Sequence, residues 1–541
     1  MSFKKKFLLY PFIFGVLILL AAMPNFGLKS SQVTPRSGGT LRIKTFENTF
    51  KPDLDPASGA WVFITEQIFD GLVKLDYNLD IVPWLAEYWK SSEDGKIYTF
   101  YLRQGVRFHH GRELTSQDVR FSLERLFRKE TNSPYSELLM SKVVGADEFR
   151  DGKADEVSGF RAPGRYIFEI QWKNPYLSAL YPLYLLSMGF CKVLPEDLVK
   201  TQERSFFWKP VGSGAFKFES WLRSPRLEIA GVRMERNKDY FGKRAYLDFL
   251  EFSPFFTVDN FMASELEIIP FSSNRLAASG CQVLEGSPFN ISYLMMNCRV
   301  FPLDRLPVRK ALAYGIDKEK LAKAISENEN VRRVTNNYIP PRLPGFFPLD
   351  EAQGYDLDKA RRILEEQGFS PERRFPEITL FLPSPRNDPH QKFAGELENQ
   401  LEPLGIVLDV RYYRSLEEIK DFQRPFLVLL TWAMDFPDAE NVIRGVFSSS
   451  STVNRICLGY ENSGLDGLLA ASDVERSRVR RIDLFRKIEK ILREDLPSIP
   501  LYSDEERLAV QPYVRGVKIP ALGFQYMDAK DIWLVKREPW P

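Results

Sequence analysis

From Pro425 to Phe447 the chain reads PFLVLLTWAMDFPDAENVIRGVF. Residues 426–430 form an unbroken apolar run after a proline, the pattern of a strand covered on both faces rather than one. The run leads to Trp432 and then Asp435. This puts a carboxylate beside a large aromatic ring just past the carboxyl end of a buried strand, where open α/β sheets present residues to a ligand in a crevice. Asp438 then precedes Ala439, Val442 and Ile443 as the N-cap of a helix. The alternative is turn or capping duty for Asp435 with Trp432 in the core, since Asp is a common turn residue.

At 541 residues the chain exceeds one compact core, and a prior of about 150 residues per domain predicts three or four units. With 74 basic and 72 acidic residues the net charge is +2, which offers no basic field for nucleic acid. Lys4, Lys5 and Lys6 precede an apolar run over residues 7–23, the layout of an export signal. An uncleaved anchor is the competing reading, because about 20 residues span a bilayer. No cysteine precedes Cys191, so a lipid anchor on an N-terminal cysteine is not expected. Export would place Cys191, Cys281, Cys298 and Cys457 where disulfides are permitted, with every pairing open. None of them has metal-ligand spacing, and three histidines leave little for a metal site or a His-dependent triad; no metal and no cofactor is expected.

Residues 29–37 read as a linker, and the first strand begins after Gly38 and Gly39. Residues 62–72 have helical apolar spacing, ending at Gly71. Residues 84–126 hold a turn at Asp94-Gly95, an alternating strand at Ile97, Thr99 and Tyr101, a tight turn at Gly105, and Thr115 as the N-cap of a helix with Val119, Leu123 and Leu126 on one face. Gly212 and Gly214 read as a turn before a strand, because a lone G-x-G lacks the spacing of a phosphate loop. Residues 378–382, 393–404 and 406–413 read as strand, helix and strand, a crossover unit.

The segment carrying Trp89, Asp94, Gly95, Tyr98, Phe100, Arg103, Gly105, Phe108, His109, Gly111, Thr115 and Asp118 resembles the signature region of the family 5 extracellular solute-binding proteins, the peptide- and nickel-binding components of ABC importers. The likeness continues through residues 210–218, 237–241 and 355–369 to the end of the chain. It implies an α/β, two-lobed periplasmic-binding-protein fold with a hinge of two crossings and a first lobe enlarged by an extra subdomain. The implied organisation is a signal or anchor (1–28), a linker (29–37), lobe I (38–292, subdomain about 61–205), lobe II (293–501) and a return to lobe I (502–541). Closure of such lobes captures a ligand.

The resemblance also assigns roles. Trp432-Ala433-Met434-Asp435-Phe436 matches a motif whose acid receives a peptide's α-amino group, and a buried ammonium needs such an answer. Trp432 would wall a side-chain pocket, and Met434 stands where relatives carry a small residue, narrowing it. Arg386, after Pro383-Ser384-Pro385, resembles a loop arginine for the ligand carboxylate, a task suited to a forked guanidinium. The expected function is extracytoplasmic capture of di- to oligopeptides by a monomer that delivers them to ABC permease subunits. The alternatives are a nickel chelate, haem, an opine or an oligosaccharide in the same fold, or a secreted hydrolase using Asp435 and Asp438.

Overall fold

The computed structural model describes residues 34–45, 50–176, 180–286, 289–326, 332–341, 343, 346–347, 354–370, 372–384 and 388–535. The apolar N-terminal run and Arg386 lie outside the described residues.

Two mixed sheets organise the chain. The first has seven strands in the order Gln282–Gly286, Glu506–Val510, Ile268–Pro270, Thr40–Lys44, Phe249–Ser253, Ile229–Arg236 and Phe216–Arg223. The second has six, in the order Arg332–Val334, Ser498–Asp504, Asn290–Met296, Phe426–Ala433, Ile378–Pro383 and Leu408–Tyr413. The crossover unit is present: Ile378–Pro383 runs parallel to Leu408–Tyr413, joined through the helix Asp388–Leu401. A separate four-stranded antiparallel sheet, with Ala86–Ser91, Ile97–Leu102, Ile167–Gln171 and Phe160–Gly164 in that order, carries the capped helix Ser116–Phe127.

Residues 426–430 are all buried, and alternate side chains serve different cores. Leu427 and Leu429 join Leu294, Met296 and the helices Leu306–Gly315 and Asp388–Leu401. Phe426, Val428 and Leu430 face Tyr293, Tyr338, Phe447 and the helix Arg478–Asp495. Both faces are apolar because both are covered. The strand reaches Ala433, further than the apolar run alone indicates, because its last residues pair with Asn290–Met296 and Ala433 sits opposite Asn290. Trp432 is therefore a strand residue rather than one beyond it.

The chain passes between the two large sheets twice, between Gly286 and Asn290 and again at Glu505. The crossings are neighbours. Gly286 pairs with Glu506 in one sheet and Ser292 with Tyr502 in the other, while the Asn290 side chain accepts from the Asp504 backbone N–H at 2.8 Å. Two adjacent ribbons thus join two rigid layers, which is hinge geometry.

Two local expectations need correction or completion. The helix expected to end at Gly71 is Val62–Ile68. It stops because Asp70 is drawn out of helical register by Trp84 Nε1 (2.6 Å), Ser213 Oγ (2.8 Å) and the Tyr240 hydroxyl (3.3 Å), and Gly71 bridges to Lys192. The Gly212–Gly214 segment is the expected turn. A Cβ on Gly212 would lie 1.9 Å from the Ile68 carbonyl oxygen, so the turn is pressed onto backbone, and Gly214 N donates to Ile68 O at 2.9 Å rather than to a ligand. His109 closes it, accepting from Gly212 N at Nδ1 (3.2 Å) and donating from Nε2 to Gly214 O (3.0 Å). Burial pushes its pKa down to about 3, which keeps the ring neutral.

All four cysteines are free thiols. Burial raises Cys298 to about 11, Cys457 to about 12 and Cys191 higher still, so these three are poor thiolate nucleophiles. Alkylation in denaturant without reductant is expected to label all four, and reductant to leave the thermal midpoint unchanged. A mass two hydrogens short with two labels missing would show a disulfide instead.

Candidate functional site

Where Phe426–Ala433 leaves its sheet, Met434 N donates to Phe289 O at 2.9 Å and the Met434 side chain is buried. Asp435 follows in the loop, half-buried. Asp438 caps the helix Ala439–Val442 as expected, accepting from Glu440 N at 2.9 Å, and that helix continues through a wider turn over Ile443–Phe447. From its first turn Asn441 reaches back. Trp432 Nε1 donates to Asn441 Oδ1 at 2.7 Å, which orients the amide so that Asn441 Nδ2 points at Asp435 Oδ2, 3.4 Å away. The indole itself packs over Gly445, where a Cβ would lie 2.5 Å from its ring.

The three acids of this short stretch end in different electrostatic states. Arg481 forks onto Asp438 at 2.5 and 3.0 Å and also holds Glu440 at 2.9 Å. Arg444 takes the other Glu440 oxygen at 2.7 Å. Asp435 forms no ion pair among the described residues. Burial raises its pKa, opposed in part by the Asn441 bond. A carboxylate desolvated without a cation takes up a proton or a cation more readily than an exposed one, which makes Asp435 a candidate ligand contact.

Asp435 also faces the other lobe. Burial raises the hydroxyl pKa of Tyr135, which stacks on Phe190 at 4.6 Å, and the Asp435 charge adds to it; burial, then the charges of Glu66 and Asp435, raise that of Tyr526 on the short helix Phe524–Tyr526. Beside Tyr135, Gly59 lines a cavity of about 520 Å³ that extends to Glu506 at the crossing. Phe436 is sequestered, edge-on to Tyr181 (5.3 Å) and stacked on Tyr184 (6.4 Å) of the helix Leu180–Ser187.

Asp435, Trp432, Met434 and Phe436 therefore gather at one lobe boundary, with Asp435 the most open of them chemically. Asn441, Tyr135, Tyr526 and Glu506 were not singled out by sequence. The local signal for Asn441 is its place three residues after the N-cap Asp438, in the first turn of that helix; the other three come from distant segments.

Residues 80–454 match the family model for bacterial extracellular solute-binding proteins, family 5 Middle. The chain is 23% identical over 513 residues to the dipeptide-binding protein of Escherichia coli, covering 88% of this chain and 91% of the relative. It is 25% identical over 522 residues to the oligopeptide-binding protein OppA of Bacillus subtilis, covering 90% and 91%. Heme-binding protein A of Haemophilus influenzae is 24% identical over 511 residues, with 88% of each covered. The fold is shared with the periplasmic binding protein DppA from Helicobacter pylori solved with the peptide STSA, at a TM-score of 0.74 and 24% identity over 93% of this chain and 99% of that one. Among the described residues no helix is long and apolar enough to cross a membrane.

Proposed function

Because the chain belongs to family 5 of the bacterial extracellular solute-binding proteins, we propose that it captures short peptides between its lobes outside the cytoplasm and delivers them to the permease subunits of an ABC importer. The observation that carries this reading is Asp435, a carboxylate at the lobe boundary that Trp432 and Asn441 hold in place and no described cation answers. A peptide α-ammonium supplies the missing charge in a water-poor cleft, where a charge-assisted hydrogen bond is strong. Trp432 orients Asn441, and Met434 and Phe436 pack the wall behind the acid. Arg386 remains the proposed partner for the ligand carboxylate. Lobe I (to Gly286 and again from Glu506) and lobe II (Asn290 to Asp504) close about the paired crossings, and the protein works as a monomer.

The reading is of a binder rather than a hydrolase. Asp438 is committed to Arg481 and to its helix, so it is not available as the second acid of a catalytic pair. Haem in the same cleft is the second reading, favoured by the similarity to heme-binding protein A.

Native mass spectrometry of the full chain, purified without refolding, tests the choice. A ladder of co-purifying short peptides is the expected result. One discrete non-peptide mass, haem included, would replace the peptide reading.

A further inference from the structure

Two carboxylates flank the crossings, one from each lobe. Ala433 sits opposite Asn290 at the end of the six-stranded sheet, and the Asn290 side chain holds the backbone of Asp504. Asp435 stands two residues beyond Ala433 and Glu506 two residues beyond Asp504. The ribbon thus brings both acids to the same margin between the lobes.

Asp504, Glu505 and Glu506 are consecutive and fare differently. Asp504 pairs with Arg332 at 2.8 Å, and Glu505 pairs with Arg333. Glu506 forms no ion pair among the described residues. Its Oε2 accepts from Phe524 N at 2.7 Å. Its Oε1 lies over Gly523, where a Cβ would be 3.0 Å away and the backbone φ is +100°, and accepts no hydrogen bond from the described residues. Burial raises the Glu506 pKa, with the Phe524 bond opposing; the carboxylate is desolvated and half-satisfied, as Asp435 is.

Glu506 lines the cavity of about 520 Å³, together with Trp61, Phe63, Ser58 and Gln525. Lys51 and Asp53, of opposite formal charge and both exposed, line it too. Trp61 holds a left-handed backbone at φ +55°, a conformation that a large side chain keeps only under constraint. Aromatic walls with one open carboxylate oxygen suit an ammonium or guanidinium removed from water.

We propose that Glu506 is a specificity-determining residue that receives a cationic side chain, so that the ligands are peptides carrying lysine or arginine. This rests on the peptide reading above. Asp435 takes the α-ammonium and Glu506 the second positive charge.

The test is isothermal titration of the full chain with tripeptides carrying lysine or its neutral isostere norleucine at each position in turn, repeated with Glu506→Gln. At one position at least, lysine is expected to bind tenfold or more tighter than norleucine. Glu506→Gln should bring that ratio to within about twofold while norleucine peptides keep their affinity. Norleucine binding as tightly as lysine everywhere in the unaltered chain would overturn the inference and leave the peptide reading standing. Equal losses for both peptides in the variant would also overturn it, since Glu506 would then only support the turn at Gly523. If no peptide of either kind binds, the peptide reading fails and this inference with it.

Discussion

Asp435→Asn is expected to weaken peptide binding by at least about 2 kcal/mol, roughly thirtyfold, while raising the thermal midpoint of the ligand-free protein. The two effects have opposite signs for one reason. With ligand bound, the carboxylate answers a desolvated ammonium, and the amide leaves that ammonium without its counter-charge. Without ligand, the carboxylate is buried with only the Asn441 bond to hold it, and removing the charge relieves its desolvation. Its pKa is raised in the fold, so the folded chain binds this proton more tightly than the unfolded one. Its contribution to stability is therefore fully present below the unfolded value and is lost as pH rises through the folded value. Binding runs the other way, falling as the pH drops through the raised value, because a neutral carboxyl does not pair with an ammonium. Calorimetric titration with thermal melts of both variants checks this. Unchanged affinity would remove Asp435 from the site, and a lower midpoint for the ligand-free variant would assign it to the turn instead.

Arg481→Ala is expected to cost about 3–5 kcal/mol of folding stability, because it leaves two buried carboxylates without their shared cation. Asp438 loses its forked partner outright, and Glu440 retains only Arg444. Arg481→Lys should recover part of the loss, since one ammonium cannot reproduce the fork that spans both acids. Burial raises the Glu440 pKa, so Glu440 takes up a proton more readily than an exposed glutamate. The penalty of Arg481→Ala should therefore shrink as pH falls and be largest at alkaline pH. Urea unfolding at two pH values measures it. A penalty below about 1 kcal/mol, or one that does not change with pH, would mean that water rather than Arg481 satisfies these acids.

Elements whose causes lie within a few residues were legible in the sequence. The buried strand showed in the apolar run over residues 426–430, the capped helix in Thr115, the helix start in Asp438, and the crossover unit in the spacing of residues 378–413. Period and capping are local properties, read from neighbours along the chain. The helix expected to run to Gly71 failed for the opposite reason, since Ser213 and Tyr240 pull on Asp70 from far along the sequence.

The site divided along the same line. Sequence by itself placed an acid beside an indole at the end of a buried strand, but Asp435, Asp438 and Glu440 lie within six residues and nothing local distinguishes an answered carboxylate from an open one. The tertiary structure decided it. Arg481 returns from 43 residues away to neutralise two of the three, and the third keeps only the Asn441 bond, with Tyr135 and Tyr526 within reach of its charge. The same holds at the hinge, where arginines answer Asp504 and Glu505 and leave Glu506 open. Charge type is written in the sequence; desolvation and pairing depend on what the fold brings within a few ångströms, and they determine which charge a ligand must answer.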